Sequence, residues 1–505
     1  MEAFFLTISK LNWSADSTTH TAGRAPVLTL AVAEQRRILR GPVAVHGLLL
    51  CLATIFLMSA GPAFTLYASG SIVAPTFLVL AYLEAKKEPL RITPISVYLF
   101  WNSFGLGFSA IFMGFKIAQG EWIDFSVAQI LPDDLATGYV IYLLGSLAVH
   151  IGLNYMRPFD NIKRPSPAGR SSVSFAGIAA LWALGVTYIF KASWFSSLGN
   201  VSRPLGWMAL GALSLFVLVP RERMGISKRT FGVTLFIGTA GLLVANIRSG
   251  SKAFIMFSFL PVIWMLLVRR DLRRWSMPMG IGLLLFYFGI VAPAVGRSRE
   301  VQAQEGETSF THLISSFGSA PRVGASMFEL YSNQLDDFLS RQFEAVSTGY
   351  LVGEVRKDGY QWGDTMSYAM YAFIPRLLWP NKPSVSRGAW FTTYLGAAAR
   401  EEEATTSTGI SATGELYWNF GVLGVAVGMC GIGLFYGLLW RMAGANPQKP
   451  LHMLLYVLVS IPGMLDMPEA VTVYGGILSQ FLLFSAVFYV MEMARARLAT
   501  SSLLQ

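Results

Sequence analysis

Apolar positions in this chain come in long unbroken blocks, not in the mixed spacing of a soluble fold. A block of about 18 or more residues can cross roughly 30 Å of hydrocarbon at 1.5 Å rise per helical residue. Twelve such blocks occur, at 43–60, 66–84, 95–117, 135–156, 173–192, 204–220, 230–247, 252–268, 277–296, 416–440, 451–466 and 471–493. Gly61-Pro62 reads either as a tight turn between the first two or as a kink in a single span, and Pro462-Gly463 interrupts the eleventh. The pattern predicts an all-α, polytopic membrane protein of about twelve transmembrane helices. Its expected organisation is an N-terminal tail over 1–42, spans one to nine over 43–296, a large loop over 297–415, spans ten to twelve over 416–493, and a tail over 494–505. Within the loop, Phe310 to Phe343 has helix-like apolar spacing, and Met366 to Trp379 is aromatic enough to lie at a membrane interface.

Composition supports the reading. Charged residues make up 13% of the chain, against about 25% in soluble proteins. Apolar residues are abundant and no block of like charge occurs, which argues against a disordered or nucleic-acid-binding polymer. Cys51 and Cys430 lie in apolar blocks with no metal-binding or disulfide spacing. The net charge of +10 is unevenly placed. With the N-terminus inside, 24 of the 39 Lys and Arg fall in inner segments, as cytoplasmic retention of positive charge requires. Outer segments such as Gln119 to Asp134 are acidic. Both termini are therefore expected in the cytoplasm, with the 297–415 loop on the opposite side. Ten of the fifteen outward cations sit in that loop, which is long enough to translocate regardless of charge.

Those outward cations are the candidate chemistry. In Asn246-Ile-Arg-Ser-Gly-Ser-Lys252, Arg248 and Lys252 are four apart and share a side if a helix begins early, with Ser249-Gly250-Ser251 as its cap. Cations at a helix start are disfavoured unless an anion such as phosphate sits between them; otherwise both side chains snorkel to headgroups. Arg297 and Arg299 at the end of span nine either grip phosphate with their planar guanidinium forks or anchor the interface beside Glu300. Ile374-Pro-Arg-Leu-Leu-Trp-Pro-Asn-Lys-Pro383 fixes Arg376 and Lys382 between prolines, and its Trp379 is a sugar platform or part of the aromatic belt. In Gly414-Glu-Leu-Tyr-Trp-Asn-Phe-Gly421, Glu415 and Asn419 are four apart; Glu415 is a general base or a dipole-favoured helix start. No DxD, dinucleotide fingerprint or HExxH occurs, so neither metal nor cofactor is expected.

The Arg248-Ser-Gly-Ser-Lys-Ala253 segment, the Ile374–Pro383 segment and the Gly414–Gly421 segment, in that order around a large outer loop, resemble the Wzy-type oligosaccharide repeat-unit polymerases of O-antigen and exopolysaccharide synthesis. The likeness covers roughly residues 230 to 440; Lys252 stands where that family more usually has Arg. It implies a GT-C-like, metal-independent glycosyltransferase of the bacterial inner membrane, working on the periplasmic face. Such an enzyme transfers a glycan from undecaprenyl diphosphate to another lipid-linked repeat unit. With that reaction in view, Glu415, Arg248 and Arg297 are the expected catalytic residues, and Lys252, Arg299, Arg376, Lys382, Trp379 and Asn419 the expected substrate contacts. Its partners are undecaprenyl-diphosphate-linked oligosaccharides and membrane lipid, with a chain-length regulator protein as a candidate and no nucleic acid. A related lipopolysaccharide ligase and a lipid-linked glycan flippase stay open as alternatives.

Overall fold

The computed structural model describes residues 25–87, 93–156, 175–191, 194, 205–219, 221, 224–248, 252–268, 276–287, 291, 327–368, 379, 381, 387–400 and 409–443, with backbone alone at several of them. Met1–Val45 and His46–Gln505 form two compact units. All packing described below lies within the second.

Six helical stretches among the described residues are long and apolar enough to cross a membrane: Gly41–Ser59, Pro62–Lys86, Pro94–Ala118, Pro132–Tyr155, Lys228–Asn246 and Ala412–Arg441. The protein is thus a helical, membrane-embedded one. Two shorter apolar helices, Phe175–Phe190 and Leu205–Leu218, occupy the expected fifth and sixth spans. The expected eleventh and twelfth spans, 451–466 and 471–493, lie outside the described residues.

Helix α1 (Ala25–Ser59) and α2 (Pro62–Lys87) meet at Gly61, whose φ of 81° no L side chain adopts easily. The ring of Phe56 meets Phe64, and that of His46 meets Phe77, so the two helices run antiparallel and Gly61 is a turn between separate spans. The third span is α3 (Pro94–Asn102) and α4 (Ser109–Ala118), joined through a wide π segment over Ser103–Phe108. Thr93 and Ser96 cap its start reciprocally. A short hairpin, β1 (Ile123–Phe125) against β2 (Ala128–Ile130) with Ile123 opposite Ile130, leads into α5 (Pro132–Tyr155). It is the one departure from all-α structure among the described residues.

Helix α5 is the post against which the helices over 345–358 and 412–443 pack. Small residues let other backbones touch it, the packing that replaces the hydrophobic drive within lipid. A methyl group on Gly349 would lie 2.8 Å from Leu135 Cα, and one on Gly433 would lie 2.9 Å from Val149 Cα.

The expected eighth span is two helices. After α6 (Phe175–Phe190), α7 (Leu205–Leu218) and α8 (Lys228–Arg248), the chain forms α9 (Lys252–Phe257) and α10 (Leu260–Val268), followed by α11 (Ser276–Phe286). Pro261, which lacks an amide proton, starts the new helix, and the Asn246 side chain bonds Ser258 at the break, 2.9 Å away.

The described part of the large loop is largely helical. It contains α12 (Met327–Gln342), α13 (Ala345–Asp358) and α14 (Arg387–Tyr394). Helix α13 packs along the first half of α5, with Gly349 against Leu135 and Gly353 beside Asp134.

Residues Ala412–Ala443 are not one straight helix. Gly421 has φ 64° and ψ −157°, and beyond it a methyl group on Gly428 would touch the Leu416 side chain at 2.6 Å. In a continuous helix those residues stand about 18 Å apart at 1.5 Å per residue. The chain therefore doubles back at Gly421. A short arm, α15 (412–420), is followed by the membrane-crossing arm, α16 (422–443), and the expected span of 416–440 begins after the turn.

Candidate functional site

The short arm starts at a hub of hydroxyl groups. Ser411 is the cap of α15: its Oγ accepts the Gly414 amide at 3.1 Å and the Ser347 hydroxyl at 2.9 Å, and lies 3.1 Å from Thr348 Oγ1. Thr413 is fully buried beside Gly145 of α5. The hub thus ties the start of α15 to the first turn of α13, and both to the middle of α5.

Glu415 follows in the first turn of α15, with no exposed surface. A buried carboxylate is costly unless its charge is compensated, and the helix start supplies part of that. The Tyr368 hydroxyl approaches Glu415 Oε2 at 3.5 Å. One turn on, Asn419 is equally buried. Its amide nitrogen donates to Glu415 O at 2.8 Å and Thr365 Oγ1 at 2.6 Å, and its Oδ1 accepts the Gly363 amide at 2.8 Å. The turn at Gly421 leaves the last carbonyls of the arm without helical partners, and the amides of Gln361 and Trp362 bond to Trp418 O and Asn419 O. Segment 359–368 is therefore fitted to α15 residue by residue.

Charged groups gather where α5 begins. Asp134, nearly buried, is ion-paired to Arg356 of α13. Glu354 accepts from Lys357 at 3.0 Å and from the Tyr394 hydroxyl at 2.8 Å. Burial pushes the Tyr394 phenol above its ordinary range, with its hydrogen bond to the Glu354 carboxylate and that carboxylate's charge adding to the shift. Trp390, Phe391, Tyr394 and Trp418 stack beside them as an aromatic cluster.

A second carboxylate occupies a different place. Glu344, between α12 and α13, lines a small, partly open cavity with Tyr98, Trp101, Asn102, Gly105, Leu106, Tyr142 and Gln342. Tyr142 donates its hydroxyl proton to Glu344 Oε2. The π segment shapes the opposite wall, and Tyr139 donates to the Leu106 carbonyl there at 2.9 Å.

No protein-family model matches the chain, and no curated protein or solved structure is similar to it.

Of the residues expected from sequence, the structure brings Glu415 and Asn419 together on one face of α15. Arg248 closes α8 and Lys252 opens α9, so they do not share a helix; their side chains lie outside the described residues. Trp379 is exposed. Arg297, Arg299, Arg376 and Lys382 also lie outside the described residues. Among the described residues no group of His, Cys, Asp or Glu is set to hold a metal ion. Sequence reasoning missed Glu344, Tyr142, Asp134 and Arg356. Their signal is the Gly349-x-x-x-Gly353 spacing, which marks close helix packing in membranes and singles out a loop helix that belongs with the spans.

Proposed function

We propose that this protein polymerises lipid-linked oligosaccharide repeat units in a bacterial inner membrane. The face carrying the 123–130 hairpin is the periplasmic one, and both termini are cytoplasmic. The observation that carries the reading is the Gly414–Gly421 segment: its carboxylate, its amide and its turning glycine all belong to one enclosed polar site closed by 359–368. An acceptor sugar hydroxyl attacks the anomeric carbon of the donor glycan, the bond from that carbon to the diphosphate oxygen breaks, and the proton passes to a carboxylate. Glu415 takes that proton once segment 359–368 moves aside. Arg248, Lys252, Arg297, Arg299, Arg376 and Lys382 neutralise the departing undecaprenyl diphosphate, an electrostatic contribution that is often the largest in catalysis. No metal is required. Trp379 and Asn419 border the glycan, and a chain-length regulator is the protein partner to look for.

Deletion should leave a single repeat unit on its carrier or acceptor, and Arg248→Ala or Arg297→Ala should do the same with protein level unchanged. Normal long-chain polysaccharide in a clean deletion strain overturns the reading.

A lipid-linked glycan flippase is the second reading, favoured by the interrupted helices at Ser103–Phe108 and Gly421, since broken helices also build carrier sites. Movement of labelled lipid in proteoliposomes, with chain length remaining at one repeat, selects it.

A further inference from the structure

The large loop is expected to lie outside the membrane, yet its described helices follow the spans inward. Helix α12 is held near the end of the third span, where Asp336 pairs with Lys116 at 2.9 Å. It ends at Gln342, whose carbonyl lies 2.9 Å from where a methyl group on Gly105 would be. From residue 116 to residue 105 the span covers about 16 Å at 1.5 Å per residue. The chain then turns over Phe343-Glu344 and returns. Glu344 meets Tyr142, Gly349 meets Leu135, and Arg356 meets Asp134. From residue 142 back to 134 is about 12 Å on the same rise. The two arms thus reach comparable depths, about 12 to 16 Å on that rise, near half of a hydrocarbon core about 30 Å thick.

The turn is polar. Gln342 and Glu344 are half-buried and line the cavity, and Arg341 beside them is exposed. Backbone that is not helical, and an exposed guanidinium, occur at such depth only inside protein or against water.

We infer that residues 327–358 form a re-entrant hairpin that enters and leaves the membrane on the face of the 123–130 hairpin. Its tip is the floor of a water-filled site at about half depth, open to polar groups and closed to acyl chains. Glu344, Asn102 and Tyr142 present its hydrogen-bonding atoms, and Gly105 is the seat that lets the tip descend. The inference is independent of the proposed reaction, because its test needs no substrate.

The test uses the full-length chain in oriented vesicles, with Cys51→Ser and Cys430→Ser and single cysteines at Arg341, Lys357 or Lys86. A charged, membrane-impermeant thiol reagent should modify Arg341→Cys from the same side as Lys357→Cys, roughly tenfold more slowly, and Lys86→Cys only from the other side. Spin labels at the same positions should report Arg341→Cys deeper than Lys357→Cys by about 10 Å or more, following the helix rise. Modification of Arg341→Cys from the side of Lys86→Cys overturns the inference. So does equal depth for 341 and 357, or reaction of 341 only with a lipid-soluble reagent. Should the cysteine-free chain not fold, hydrogen exchange on the native chain in nanodiscs decides. Protected amides in 345–353 support the hairpin, and exchange as fast as an open loop overturns it.

Discussion

Glu415 and Glu344 are two carboxylates at the ends of neighbouring helices, held in opposite ways. Glu415 is sealed behind Tyr368, with Asn419 and segment 359–368 filling the space around its arm, and none of its surface is exposed. Glu344 faces a cavity, is only half-buried, and accepts a hydrogen bond from Tyr142. The first arrangement favours a fixed structure and needs a loop movement before chemistry. The second is already open. A recognisable motif surrounds Glu415 and none surrounds Glu344, so conspicuousness in sequence and accessibility in space point to different carboxylates.

Both carboxylates depend on the close contact between α13 and α5. Gly349→Leu forces side-chain atoms into the α5 backbone; overpacking of this kind costs about 1–3 kcal/mol or more, and thermal unfolding in detergent should show a sharp loss of folded protein. Gly421→Ala comes next, because its backbone conformation suits glycine alone and the new methyl would press on Tyr360, 3.0 Å away. A cost of about 1–3 kcal/mol is expected, disturbing the Glu415 side and sparing the Glu344 cavity.

Glu415→Gln and Glu344→Gln then sharpen the assignment without large steric change. If Glu415 is the base, its amide variant should lose polymer formation by about 10²–10⁴-fold while Glu344→Gln retains it. The reverse result transfers the role to the open cavity. Ser411→Ala removes a helix cap and should cost about 1 kcal/mol, read as a small shift in midpoint. The smallest effect is on pH. Tyr394 titrates higher when folded than its ordinary value of 10, so the folded state binds the extra proton. Its contribution is complete below pH 10 and is lost as pH rises from there through the raised folded value. Tyr394→Phe should flatten that alkaline fall.

The spans were legible because they are long apolar runs with clear stops: Pro132-Asp133-Asp134 starts α5 close to the expected boundary. Pro261 was equally visible, but a break inside an apolar run does not change its mean hydropathy. Gly421 was hidden among Gly424, Gly428, Gly431, Gly433 and Gly437, since composition does not tell a turning glycine from a packing one. Glu415 and Asn419 were legible as an i, i+4 pair, whereas Thr365 and Tyr368 reach them only through the tertiary fold. Glu344 is brought to Tyr142 across 202 residues of chain, a pairing no local pattern encodes.

The fold-back at Gly421 also bears on how the chain is made. While leaving the ribosome, Ala412–Arg441 is a single stretch long and apolar enough to be inserted as one span. The amides that cap its reversed arm belong to Gln361 and Trp362, about 50 residues earlier, and act only when that segment is already in place. Residues 412–420 should therefore enter the insertion machinery as part of one continuous helix and reverse afterwards, which makes the bend a late checkpoint of biogenesis. Chains stalled before it would carry Glu415 at an intermediate depth, a form suited to recognition by membrane quality control.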